Sequence, residues 1–271
     1  MRSSNPALND KVFNREIDAA RAAGAGGRIT RPPVDDRVSP WTPPESYEAM
    51  TIGGTVAASA VLLVLLLAAG WVGWAQVDPS PEGVRLPGWL LPVMLVGLGI
   101  AILTIFKPKL ARFTAPVYAL VEGLLLGAIS HLYNLQFDGI VVQAVGLTLG
   151  VFAIMLGLYA TRVIKVTDKL RMGIVVATGA VMLVYLVSLV ARLFGADLPF
   201  IHDTGPVGIL FSLAVVAIAS FNLLLDFDFI EQGTNRGAPK YMEWYGAFGL
   251  LVTLVWLYLE LLRLLSKLRS R

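Results

Sequence analysis

Seven runs of apolar residues, each close to the ~20 that a helix needs to cross about 30 Å of hydrocarbon, leave this chain few folds to choose from. They lie at about 51–75, 88–106, 114–134, 139–160, 171–194, 205–225 and 244–266, and the connections are short. Lipid offers no water to satisfy backbone amides and carbonyls, so runs of this length become helices. The expected fold is all-α: a polytopic membrane protein with a seven-transmembrane-helix bundle over residues 49–271 behind a polar tail over 1–48. Composition agrees, because 56% of the 271 residues are hydrophobic and only 15% charged, more apolar than a soluble domain of this size requires.

The tail carries Pro32, Pro33, Pro40, Pro43 and Pro44 and the glycines Gly24, Gly26 and Gly27, a composition that favours disorder. Leu8, Val12, Phe13 and Ile17 recur at helical spacing, which allows a short amphipathic helix inside it. No apolar stretch follows the start, so no cleavable signal peptide is expected. The absence of cysteine excludes disulfides, thiol catalysis and Cys-based metal sites, and two histidines, His131 and His202, are too few for a histidine-rich one.

Basic residues sit between the apolar blocks rather than clustered on a soluble face, which argues for topology signals and against nucleic acid. Seven lie in the tail and others at Lys107, Lys109, Arg112, Arg162, Lys165, Lys169, Arg171, Arg236 and Lys240, all on one side of an alternating path. The opposite side holds Arg85 and Arg192, so the positive-inside rule predicts a cytoplasmic N-terminus in the cell membrane. Seven crossings then put Arg263, Lys267, Arg269 and Arg271 outside, against the rule. Trp71, Trp74, Trp89, Trp244 and Tyr245 fall near block ends, where amphipathic rings prefer the interface. Gly123 and Gly127 in the third block, and Gly146 and Gly150 in the fourth, have the spacing that lets helix backbones approach closely.

The stretch Ser220–Lys240, SFNLLLDFDFIEQGTNRGAPK, brings acids to the end of the sixth block. Asn222 and Asp226 are four apart and share a helix face, whereas Asp228 points nearly the opposite way. Asp226 is expected to face the protein, and Asp228 and Glu231 to be solvated at the mouth. Glu122 lies mid-block, where an ionised side chain costs about 2.5–3.5 kcal/mol on insertion scales. It shares a stripe with Tyr118, Ser130 and Asn134, with His131 alongside, and such a stripe can line a watery path or carry one protonated acid bonded to a neighbour. Glu260 has Arg263 three residues on as an ion-pair partner. Asp138, Asp168, Asp197 and Asp203 fall in connections as turn or cap residues, and His202 beside Asp203 is a further pH-sensing candidate. No serine-protease, zincin or Walker-type signature occurs, and no mid-membrane lysine in the last block that would bind retinal, so the expectation is a non-enzyme.

The segment NLLLDFDFIE (Asn222–Glu231), followed by Gly233, Lys240 and Tyr241 and then by GLLVTLVWLYLELLRLL, resembles the Bax inhibitor/YccA-like family, also called the transmembrane BAX inhibitor motif family. APVYALVEGLLLG (Ala115–Gly127) supports the likeness over about residues 50–266, and the long polar tail beginning MRSSNPAL resembles its actinobacterial branch. The resemblance implies six helices around a central last helix. It also implies a pH-sensitive calcium leak channel, gated by two proton-sharing aspartates. The first matches Asp226; the second position holds Thr253 here, as in YccA-like members, and Glu260 lies two turns further along that helix. YccA-like relatives are also linked to a membrane protease, which makes a non-conducting regulator, gripped by its tail, the alternative.

The expected mechanism is a cation path with Asp226, Glu122, Thr253 and Glu260 as pH-sensing or gating positions and Asn222, Asp228 and Glu231 at its mouth. Burial and nearby charge set an aspartate's pKa, so such an acid could titrate near cellular pH. No cofactor is expected. Hard calcium prefers several oxygen ligands, and Asp226 with Asp228 would offer at most weak binding, which suits conduction because the ion must also leave.

Overall fold

The computed structural model describes residues 15, 18–19, 48–77, 79–80, 83–84, 87–194 and 205–270. Helices α1 (Ile52–Ala75), α2 (Leu90–Phe106), α3 (Ala111–Gln136), α4 (Ile140–Ala160), α5 (Asp168–Leu193), α6 (Pro206–Asn235) and α7 (Met242–Arg269) follow one another. A two-residue hairpin, β1 (Pro79–Ser80) with β2 (Gly83–Val84), lies between α1 and α2, and a 3-10 turn at Pro108–Leu110 leads into α3. Six helices are long and apolar enough to cross a membrane, so this is a multi-pass membrane protein; α2, at 17 residues, is shorter. At 1.5 Å per residue α2 spans about 25 Å, and Thr104 donating to Thr114 at 2.8 Å lays it antiparallel against α3. His202, Asp203, Asp197, Arg85, Arg271 and the tail's prolines, glycines and Leu8, Val12, Phe13 and Ile17 lie outside the described residues.

Helix bounds match the apolar blocks within about three residues except at one place. The sixth block stops at Leu225, but α6 continues to Asn235. Asp226 is therefore not at a helix end; it lies nine residues before one.

Close approach of α1 and α3 organises one side. A Cβ on Gly73 would lie 2.1 Å from the Leu124 carbonyl oxygen, and one on Gly123 2.3 Å from that of Leu66. Gly127 is tighter still, at 1.9 Å from the Gly70 carbonyl oxygen. The glycine spacing in α3 is thus a packing device, whereas a Cβ on Gly146 or Gly150 of α4 would meet no atom of the described residues within 4 Å. Helix α7 packs against α1, α3, α4 and α6 and buries Phe248, Leu257 and Leu262 completely. One apolar cluster joins α1, α3, α6 and α7, and a second joins α4, α6 and α7.

Two ends of the bundle are fixed by polar contacts. At the near end Met50 N donates to Ala238 O at 2.7 Å and Lys240 N to Glu48 O at 3.0 Å, so the strand of chain entering α1 runs along the α6–α7 connection. Thr51 adds its backbone amide and hydroxyl, 2.9 and 2.8 Å from the buried Glu243 Oε1. The Lys240 ammonium pairs with Glu48, and that carboxylate holds it above the usual lysine range. At the far end Arg269 donates to Asp138 O at 2.6 Å. Lys267, expected among the exposed terminal bases, is instead buried, with Nζ 3.0 Å from Gly208 O and 2.9 Å from Ser212 Oγ.

Candidate functional site

Asp226 is fully buried on a helix that spans the bundle. An acid there is costly in a hydrocarbon-embedded protein, and cost of that kind marks function by default. Asn222, one turn earlier on the same face, is 3% exposed and donates through Nδ2 to Thr178 Oγ1 on α5 at 2.9 Å and to Ile218 O at 2.8 Å. The two residues share the inward face that their spacing predicts.

Asp228 and Glu231, expected to be solvated, are instead tied to other helices. Arg171, at the start of α5, forms an ion pair with Asp228, which also accepts from Gln232 Nε2 at 2.6 Å. Glu231 accepts from the Tyr159 hydroxyl and from Arg162, whose guanidinium lies 5.4 Å over the Tyr159 ring. Arg162 follows α4 in the left-handed region, φ 57°, where glycine is the usual occupant. Its neighbour Glu231 pushes the guanidinium pKa up. These contacts explain why α6 does not end at Asp228 and Glu231: their charges are neutralised by Arg171 at the start of α5 and by Arg162 just after α4. Of the two acids expected to bind calcium weakly, Asp228 has the Arg171 guanidinium as its ion-pair partner. Among the described residues no group of three or more His, Cys, Asp or Glu side chains could hold a metal ion.

The α6–α7 register places the other gating candidates. Phe229 lies beside Tyr245, with ring centroids 6.4 Å apart, and Lys267 reaches Gly208, so the helices run antiparallel. Asp226 is thereby level with Phe248 or Gly249. Thr253 is one turn away, 3% exposed, with Oγ1 3.3 Å from Gly249 O. Glu260 is about 17 Å from Asp226 along the bundle at 1.5 Å per residue, too far to share its proton. It is instead bonded through Oε1 to the Tyr185 hydroxyl at 2.8 Å and to Arg263 Nη1 at 2.6 Å, the i,i+3 pair its spacing predicts.

The polar stripe of α3 does not line one path. Glu122 is half-buried and leans toward α2, where a Cβ on Gly97 would lie 3.6 Å from its Oε2. Ser130 shares a 2.6 Å hydrogen bond with Tyr258 of α7, and Asn134 Oδ1 accepts from Gly139 N at 3.1 Å. His131 stacks on Trp74 at 4.5 Å and puts Nδ1 2.8 Å from the Trp74 carbonyl oxygen. Ser130, His131 and Asn134 are each engaged locally, on a different neighbour. Sequence reasoning missed Glu243, Tyr159, Tyr185 and Lys267, whose partners all lie more than 50 residues away.

The family described as Bax inhibitor 1 like matches residues 5–270, nearly the whole chain. The chain belongs to that family. The match takes in most of the tail as well as the helices, further than the stretch 50–266 that carries the sequence resemblance. No curated protein matches the chain. In this Bax inhibitor 1 like protein the motif-bearing acid, Asp226, is the most deeply enclosed of the residues proposed for gating, and its α6 neighbours are latched to α4 and α5.

Proposed function

We propose that this protein is a pH-sensitive cation leak channel of the cell membrane, calcium being the permeant ion. It crosses seven times around its last helix, with the N-terminus in the cytoplasm and the C-terminus outside. The complete burial of Asp226 within a membrane-crossing helix is the observation that carries the reading. Its protonated and ionised forms demand different neighbours, so a change of charge there favours different packings of α6. Asn222 and Thr253 supply neutral polar groups within a turn of it, while Asp228 and Glu231, held by Arg171 and Arg162, close the near-end mouth. Glu260, paired with Arg263, and Glu122, on the α2 side of α3, stand apart from the proton-sensing step.

Calcium uptake into proteoliposomes should respond to pH, and Asp226→Asn, which fixes a neutral side chain, should flatten that response. A pH–flux curve unchanged in the variant would rule out Asp226 as the sensor.

A second reading has one observation in its favour. Residues 48–51 are bonded to the α6–α7 connection, so a partner such as a membrane protease that grips the tail would pull directly on α6 and α7. Deleting residues 2–40 should abolish capture of such a partner and leave calcium flux intact if the protein conducts. Loss of flux on deletion would instead make the tail part of the channel.

A further inference from the structure

Helix α5 is attached to the bundle unlike any other. None of its described residues belongs to an apolar core cluster, and Gly173 and Gly179 face open space among the described residues. Its outer face is apolar and open, with Met172 68%, Val176 66% and Leu183 60% exposed, as a lipid-facing surface should be. The inner stripe is Arg171, Ile174, Thr178, Val181, Tyr185 and Ser188, a regular alternation of four- and three-residue steps. Every seventh residue of it makes a polar contact across the interface. Arg171 pairs with Asp228, Thr178 accepts from Asn222, and Tyr185 donates to Glu260 while accepting from Arg263 at 2.6 Å. From Arg171 to Tyr185 the row covers about 21 Å at 1.5 Å per residue, most of the hydrocarbon thickness.

The row has a pattern of charge. An arginine–carboxylate pair stands at each end, Arg171 with Asp228 and Arg263 with Glu260, and neutral oxygens lie between them. Some of its polar capacity is unused: Glu260 Oε2 and Arg171 Nη1 are buried without a hydrogen bond among the described residues. Buried polar groups of that kind are the places where water enters, and interhelical hydrogen bonds in membranes are individually weak, averaging about 0.6 kcal/mol. A helix held by such bonds separates from its neighbours more readily than one held by interlocked side chains.

We propose that the seam between α5 and the α6–α7 pair is the hydrated cation path of this protein, plugged at both ends by the two arginine–carboxylate pairs and opened by movement of α5. The proposal deepens the channel reading and rests on it for the identity of what passes, but the wetting of the seam can be read without any flux.

The chain has no cysteine, so a single introduced thiol reports unambiguously. Compared across a pH series at the pH where labelling is fastest, Thr178→Cys and, as a second seam position, Val181→Cys should react with a cationic, membrane-impermeant methanethiosulfonate in proteoliposomes at least tenfold faster than Val176→Cys on the lipid face. Equal rates at seam and lipid-facing positions would overturn the proposal, even if calcium flux is normal, and the path would then lie elsewhere in a protein that still conducts. Fast labelling in a preparation that passes no calcium would uphold the wetted seam and remove the leak-channel reading instead. Should Thr178→Cys fail to fold, the Val181→Cys rate decides in the same way.

Discussion

Gly127→Leu is expected to leave no folded, monodisperse protein in detergent, whereas Gly150→Leu should purify and melt like the parent. A Cβ on Gly127 would meet backbone on every nearby side: Gly70 O at 1.9 Å, Gly70 C at 2.7 Å and Trp74 N at 2.8 Å. Backbone cannot rotate out of the way as a side chain can, so α1 and α3 would have to separate. Separation also empties the contacts at Gly73 and Gly123, which rely on the same approach. Extra methylenes forced into a packed interface cost about 1–3 kcal/mol even where side chains can adjust, and a leucine adds several against atoms that cannot. A Cβ on Gly150 would have nothing within 4 Å, so substitution there should stay within about 0.5 kcal/mol. Size-exclusion profiles and thermal melts of the two variants make the comparison, and equal behaviour would mean that the α1–α3 contact is not what holds that side together.

Removing Arg171 should be the next most damaging change. Its side chain is 9% exposed and that of Asp228 15%, so Arg171→Ala leaves a carboxylate with little access to water. Breaking one side of a buried pair costs about 3–5 kcal/mol, because the remaining charge is neither solvated nor matched. Asp228→Ala strands the guanidinium in the same way, leaving it only the exposed Asp168 at 3.7 Å. The double variant Arg171→Ala/Asp228→Ala strands neither group. Its melting temperature should therefore lie above that of the worse single variant, with a coupling energy of at least about 1 kcal/mol from the cycle. An additive cycle would show that the two side chains act independently.

The helices are legible in the sequence because lipid leaves an apolar run of twenty residues one way to satisfy its backbone. Charge is harder to interpret locally. The acids after Leu225 look like an exit from the membrane, and Asp228 and Glu231 would be one if Arg162, Arg171 and Tyr159 did not reach them from α4, α5 and the turn between them. Glycine spacing shows the same asymmetry. Gly123/Gly127 and Gly146/Gly150 carry the same pattern, yet only the first pair has a helix pressed against it, since spacing states how small a face is and not what faces it. For Asp226 the i,i+4 relation to Asn222 is enough to predict the enclosed face that both occupy. Glu260 lies two turns beyond Thr253, as its position in the chain requires, but the Tyr185 hydroxyl that completes its surroundings sits on a helix whose sequence marks it as one aromatic among apolar neighbours.

The contact between Thr51 and Glu243 also has a consequence for biosynthesis. The cap of the first long helix is completed by a residue 192 positions later in the chain. At ~5–20 residues per second a ribosome needs roughly 10–40 s to cover that distance, and throughout it α1 is in the bilayer with its entry unfastened. The last helix, on emerging, fastens the first and closes the assembly, so a chain truncated before residue 243 should insert its early spans yet remain an open, protease-accessible array.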